Sequence, residues 1–400
     1  MPVLVKFLIV FTIMIVLLRK KVNLGIVMLI DSVVLGLLFK MDIFKISQGI
    51  LQGMFSYESL HLIGVLIFIM FLENTMRKEG HVEKILNSLE KLVGDYRVVM
   101  AILPAFIGLL PSAGGALFSA PMVQEASREN DVSPERKAFI NYWYRHMWEY
   151  SFPLYPAILF TSEILDIELI ILIKSMIVFS LAVVLLGIPF GFTNLHNNKR
   201  MQEDINRWPY FKELVNGIYP VVLIIVLYLL FKIDLLIDVG LIFLLLTLLN
   251  RYKLEDYKRV IKESFPFKIV FLIFGIMAFK NMLALTEALD ILPGLFSQMG
   301  IPVVAVFFIL PFFIGFLTGM SSAYVAITFP ILAAFQESIN LSAVSFAFVS
   351  GFAGVMLSPM HLCLLLSADY FKADLTKVLI RVAIPEALLV SLALVFYLIF

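Results

Sequence analysis

Residues 106–121 read FIGLLPSAGGALFSAP and lie in a strongly apolar region, yet their centre is Pro111-Ser112-Ala113-Gly114-Gly115. A straight transmembrane helix does not accept that centre, because proline removes a backbone donor and glycine weakens the helix. The pattern predicts two short helices meeting at a polar tip part-way through a bilayer. Broken backbone survives at that depth only where protein covers it or where it lines a wet cavity. Residues 313–330, FIGFLTGMSSAYVAITFP, repeat the arrangement: Phe-Ile-Gly first, then a Gly/Ser-rich tip, then a short apolar run ending at a proline. Two interrupted apolar segments at matching places in two halves of a chain point to the binding site of a secondary transporter.

Composition agrees with a membrane setting. Hydrophobic residues make up 61% of the 400 and charged residues 15%, and the mean hydropathy is +0.97. Successive apolar runs near the length of a bilayer crossing predict an all-α polytopic membrane protein. A net charge of +1 gives no reason to expect a nucleic-acid partner. The single cysteine, Cys363, excludes an intramolecular disulfide and any cysteine-built metal site, so no metal is expected. The N-terminus runs into apolar residues 7–18 with no small-residue cleavage pattern and reads as a retained first span. No Walker A motif, HExxH or GxGD-type aspartate pair occurs, and the expectation is that the protein is not an enzyme.

Ordered along the chain, spans are expected at about 2–18, 22–39 and 58–76, with an amphipathic link at 40–57 and a charged helix at 77–97. A hairpin at 98–127, a proline-broken span at 138–165 and a span at 167–190 complete a first repeat, residues 1–195. A connector at 196–212 follows. The second repeat, 213–400, has spans near 213–231, 235–250 and 269–284, a hairpin at 301–336, a broken span at 341–368 and a last span at 376–400. Each half has five crossings and one re-entrant hairpin. Five is odd, so the second half enters with the opposite orientation, which makes an inverted repeat of about ten crossings and two hairpins.

Charge supplies a second line of reasoning. With both termini outside, 24 of the 31 Lys and Arg residues fall in cytoplasmic loops, as the positive-inside rule requires. The outer loops hold Glu163, Asp166, Glu168, Glu287, Asp290 and Glu337 instead. A multi-pass protein of the plasma (inner) membrane follows.

Candidate site residues lie at the tips and breaks. Helix N-termini present free N–H groups and a positive dipole end to an anion. Ser112, Gly114 and Gly115 would do so in the first hairpin, and Thr318, Gly319, Ser321 and Ser322 in the second. Tip carbonyls and hydroxyls would equally suit Na⁺. Close helix packing also favours small residues, but two clusters in matching positions favour a site. Both broken spans place a serine near the break, Ser151 ahead of Pro153 and Ser358 before Pro359. Arg145 and Glu149 fall deep in the first broken span, and ionisable groups at such depth are functional candidates. Arg145 would hold an anionic group, Glu149 would carry protons for coupling, and His146 would relay them. The alternative for Arg145 and Glu149 is a structural i,i+4 pair on one helix.

Asp31 reads as pairing with a scaffold neighbour, His361 and Cys363 as packing, and Glu73 with Asn74 as interfacial. Tyr142, Trp143, Tyr144 and Trp148 read as an aromatic girdle, with Trp148 deep enough to wall a pocket.

This layout resembles the ion transporter superfamily of gluconate, citrate, dicarboxylate and arsenite permeases. The residues carrying the likeness are the tips, 111–115 and 318–322, and the breaks at Pro153 and Pro359. Within that group, GLLPSAGGALFSAP and the following NYWYRHMWEYSFPLYP are similar to the membrane family labelled domain of unknown function 401, over nearly the whole chain. The resemblance implies a secondary carrier, a homodimer, with hairpins and broken spans moving against a scaffold. The dicarboxylate branch carries Ser-Asn-Thr at its tips, where this chain has Ser112-Ala113-Gly114 and Met320-Ser321-Ser322. The expected function is a permease for a small organic anion, coupled to H⁺ or Na⁺, with no other cofactor. The alternatives are a cation/proton exchanger without organic substrate, an intramembrane enzyme, or a non-transporting membrane protein.

Overall fold

A computed structural model describes residues 2–109, 115–195, 206–335 and 340–400, with the side chains of 288–290 excepted. Among the described residues every regular element is helical. The first half contains α1 (Val3–Arg19), α2 (Leu24–Leu38), α3 (Ile43–Met54), α4 (Tyr57–Lys78) and α5 (His81–Leu92). It continues with α6 (Tyr96–Gly108), α7 (Ala116–Ala126), α8 (Pro134–Arg145), a 3₁₀ turn at Met147–Tyr150, α9 (Pro156–Leu165) and α10 (Leu169–Phe192). The second half contains α11 (Trp208–Phe231), α12 (Leu235–Leu249), α13 (Leu254–Ser264), α14 (Phe267–Leu285) and α15 (Ala288–Gln298). Then come α16 (Val303–Thr318), α17 (Ser321–Ala333), α18 (Leu341–Met356), α19 (Leu362–Phe371) and α20 (Leu375–Ile399).

Helix starts follow from local chemistry. Asn23, Asp42, Ser56, Asp95, Ser133, Asp234, Asn340 and Asp374 each accept from a backbone N–H of the first turn. Such caps satisfy donors that the helix itself leaves open. Among the described residues five helices, α4, α10, α11, α14 and α20, are each long and apolar enough to cross a membrane. Their leucines at 185, 230 and 398 project outward, as lipid-facing positions would.

Packing between the halves comes in exchanged pairs. α2 packs on α14 while α12 packs on α4; α3 packs on α14 while α13 packs on α4. Likewise α5 meets α11 while α1 meets α15, and α7 meets α19 while α9 meets α17. Within each half the two hairpin helices pack together, α6 on α7 and α16 on α17, and the first of each pair packs on the next long helix, α6 on α8 and α16 on α18. One sequence element explains that last contact. Residues 103–108 read LPAFIG and residues 310–315 read LPFFIG. A β-carbon on Gly108 would lie 2.1 Å from the Arg145 carbonyl oxygen, and one on Gly315 would lie 2.2 Å from that of Gly351. The glycine in each copy lets two backbones touch.

Polar contacts collect at two ends of the helix bundle. At one, His61 Nε2 lies 2.9 Å from Asp234, and Lys280 Nζ donates to the Glu163 carbonyl at 2.7 Å. At the other, Lys78 pairs with Glu263, and Tyr252 donates to Glu79 at 2.8 Å. Arg97, Arg136 and Arg381 donate to the carbonyls of Leu195, Thr193 and Phe190.

Several expectations change. The crossing expected to break at Pro153 ends its helix earlier, at Arg145. His146 Nδ1 donates to the Tyr142 carbonyl at 2.6 Å, and the backbone N–H of His146 bonds to Trp143 instead, tightening the chain into the 3₁₀ turn. Glu149 therefore sits in that turn and not one α-turn beyond Arg145 on a continuous helix. The expected aromatic girdle is internal. Tyr142 and Trp143 are fully buried, and Trp143 donates to the Val183 carbonyl at 2.9 Å because a buried indole N–H needs an acceptor. Glu73 is covered by protein and accepts from Arg77 at 2.8 Å. Asp31 is buried with neither carboxylate oxygen hydrogen-bonded among the described residues, unlike the paired residue expected.

Candidate functional site

Three irregular pieces of chain meet inside the bundle: the 3₁₀ turn after α8, the turn between α16 and α17, and the break between α18 and α19. α6 anchors the first. Its last carbonyls have no helical partner, and Trp148 Nε1 donates to Ala105 at 2.8 Å while the Tyr155 hydroxyl donates to Gly108. Trp148 is thus a tether more than a pocket wall. The second piece depends on Gly319, at φ +64°, a left-handed conformation that glycine adopts without strain. A β-carbon there would lie 2.9 Å from the His361 backbone nitrogen. The hairpin tip is pressed directly on the second break.

At this meeting point the Ser321 hydroxyl donates to Glu149 Oε2 at 3.0 Å. His146 Nε2 lies 3.7 Å from Glu149 Oε1 and 3.1 Å from His361 Nε2. The Tyr142 ring packs against both imidazoles, with centroids 4.7 and 5.3 Å away. A carbonyl can only accept, so His146 Nδ1 carries a proton toward Tyr142 and the neutral ring offers a lone pair at Nε2. His361 Nε2 then donates to it. The side chains of Cys363, His146 and His361 place one ligand atom each within 4.8 Å of one another. His361 is thus hydrogen-bonded as well as packed, and Cys363 lies beside it.

Of the sequence candidates, Glu149, His146, Gly319 and Ser321 come together. Arg145 is buried next to them, within electrostatic range of Glu149, His146 and His361. Other candidates face elsewhere. Thr318 donates back to the Ile314 carbonyl at 2.8 Å. Ser151 bonds to Ser180 on α10 at 2.7 Å. Ser358 accepts from the Met360 N–H at 3.1 Å, capping the second break. Ser322, with Thr318, Met320 and Met360, lines a mostly apolar cleft of about 710 Å³ between hairpin two and the α1 and α14 helices. Gly115 opens α7; Ser112 and Gly114 lie outside the described residues.

Two features escaped the sequence reading. Asn141 accepts from Ser119 at 2.6 Å and donates to the Ala116 carbonyl at 3.1 Å and to Ser367 at 2.9 Å, joining α7, α8 and α19. Glu386, midway along α20, is buried with neither carboxylate oxygen hydrogen-bonded among the described residues. Asp238 in α12 is the same. An acidic residue inside an apolar span is itself the signal that could have found both.

No curated protein matches the chain. A family model does, over residues 3–400, and the chain belongs to that family, described as "Protein of unknown function (DUF401)".

Proposed function

We propose that the protein is a secondary active transporter that moves a small organic anion across the cell membrane by alternating access, driven by H⁺ or Na⁺. The observation that carries this reading is the hydrogen bond from Ser321 to Glu149, where the tip of one half's hairpin meets the broken crossing of the other. Irregular backbone and ionisable groups converge there, within a chain that is otherwise apolar helix, as a transport site requires. The exchanged packing pairs support an inverted repeat, with α1–α10 and α11–α20 as its units. The two polar ends match the outer and cytoplasmic loops of a ten-crossing topology with both termini outside.

In this reading the hairpins and broken crossings move as one body against α1–α4 and α11–α14, within a homodimer. Arg145 attracts the anion, and Glu149 with the tip hydroxyls holds the coupling cation. Net charge stays low as both cross together.

The test is counterflow and gradient-driven uptake of a panel of radiolabelled organic anions in proteoliposomes. Gly319→Val puts a β-branched residue into a left-handed position against the His361 backbone. Uptake by the wild type, lost in Gly319→Val protein that still reconstitutes, is the expected result. Wild-type vesicles no more permeable than empty ones under every imposed ion gradient would overturn the reading.

A further inference from the structure

The pairing of His146 with His361 is unusual in one respect. Two imidazole Nε2 atoms face each other 3.1 Å apart, and a thiol and a carboxylate stand beside them. We propose that His146 Nε2, His361 Nε2 and Cys363 Sγ, with Glu149 as a fourth ligand, form a binding site for a borderline-to-soft transition-metal ion such as Zn²⁺. The site spans the two broken crossings and goes beyond organic-anion transport.

Geometry is the first support. Zn–N bonds of about 2.0–2.1 Å at a tetrahedral angle place two nitrogens about 3.3 Å apart, close to the 3.1 Å between His146 and His361. Cys363 has to close from within 4.8 Å of both, a movement of about 1 Å for a Zn–S bond near 2.3 Å. The second support is orientation. Metal-bound histidines commonly donate their other N–H to a carbonyl or carboxylate, which sets the tautomer. His146 does this already, through Nδ1 to the Tyr142 carbonyl at 2.6 Å. Ligation at His361 would move its proton from Nε2 to Nδ1, with the Val355 backbone as the nearby acceptor. The third is charge. Ligation releases the Cys363 thiol proton to solvent, and thiolate plus the Glu149 carboxylate then neutralise a divalent ion. That balance matters in an apolar interior with Arg145 nearby.

Two properties make the site testable apart from transport. The chain has one cysteine, so any thiolate–metal signature in the intact protein comes from Cys363. A competing surface pair exists, because His61 lies between Glu163 and Asp234. The experiment therefore uses a His61→Asn background, stripped with chelator and titrated in detergent with Co²⁺, then with Zn²⁺.

The expected result is a near-ultraviolet thiolate-to-cobalt charge-transfer band, together with the intense visible bands of a tetrahedral ion. Both should saturate at one Co²⁺ per chain and vanish when Zn²⁺ is added. Cys363→Ser should lose the charge-transfer band. His361→Gln should weaken Zn²⁺ binding by more than the roughly 10–100-fold typical of losing an outer-shell partner. No charge-transfer band in the background protein overturns the proposal without recourse to any further variant. Zn²⁺ affinity unchanged in folded His361→Gln, judged by its metal-free melting temperature, overturns it as well. Metal binding without anion uptake would leave this site standing and remove the transporter reading.

Discussion

In the first broken crossing, α8 ends where Arg145 meets Gly108, and the next four residues are His146, Met147, Trp148 and Glu149. In the second, α18 passes Gly315 at Gly351, crosses α16 again at Gly354, and ends at Met356, just before Ser358 and Pro359. Both use a glycine of the LPxFIG element to bring backbone against backbone. The side chains differ in kind. The first crossing supplies charge and hydrogen-bonding aromatics; the second supplies small residues that let hairpin two lie flush against it. The first half brings the charged groups and the second brings the close fit together with Ser321, His361 and Cys363, and neither makes the site alone.

The largest test of that division is on the close-fitting side. A β-carbon on Gly354 would lie 2.1 Å from the Phe312 carbonyl oxygen, a backbone atom that cannot swing aside. Gly354→Val should cost about 3 kcal/mol or more, read as a lower melting temperature and a loss of monodisperse protein. Wild-type melting would mean that the two helices separate cheaply. Next comes Asn141→Ala, which leaves Ser119, Ser367 and the Ala116 carbonyl short of a partner. A loss of about 2 kcal/mol is expected, and a change under about 0.5 kcal/mol would show that the network is not part of what joins the halves.

On the chemical side, Glu149→Gln keeps size and the Ser321 contact but removes the charge. Uptake should fall at least about tenfold, near 1.4 kcal/mol, while melting changes little. Unimpaired coupled uptake would move the ion site elsewhere, with Glu386 the next residue to examine. The smallest effect concerns the entries to the hairpins. Hairpin one starts at Asp95, whose hydrogen bond from Arg97 holds its carboxyl below the usual range; hairpin two starts at Pro302, with no side-chain cap. A depressed folded pKa contributes stability that is complete above the unfolded value of about 3.9 and fades as pH falls through the folded one. Asp95→Asn should therefore lower the melting temperature slightly at pH 6, by under about 1 kcal/mol. The difference should close as pH drops below about 4. A difference constant with pH would assign the effect to capping alone.

Much of the helical framework was legible because hydropathy and caps are local properties. The span read at 58–76 is α4, and the apolar run after the connector is α11. The hairpin helices were visible through their interrupting tips. What escaped depends on contacts between distant segments. Where α8 stops is decided by Gly108 on another helix and by a histidine that takes its own backbone's acceptor. The surroundings of Trp143 depend on α10, and those of Tyr142 on the end of α18, where its hydroxyl donates to the Met356 carbonyl; no reading of their own stretch reveals either. A count of one cysteine argues against a site made of cysteines, and is silent about a set mixing one with two histidines. Glu386 and Asp238 are hard to see for a simpler reason: both acids sit in unbroken helix, away from the breaks.

The bonds that close the site join residues very far apart in the chain: 172 positions separate Glu149 and Ser321, 215 separate His146 and His361, and 226 separate Asn141 and Ser367. A ribosome therefore delivers the first half to the membrane long before its partners exist. His146 and Glu149 wait there without His361 and Ser321, and the wait ends only when nearly the whole chain has been made. Assembly of the site is thus one of the last events of biogenesis, and a chain truncated after α17 would leave half of it stranded in lipid, a natural substrate for membrane quality control.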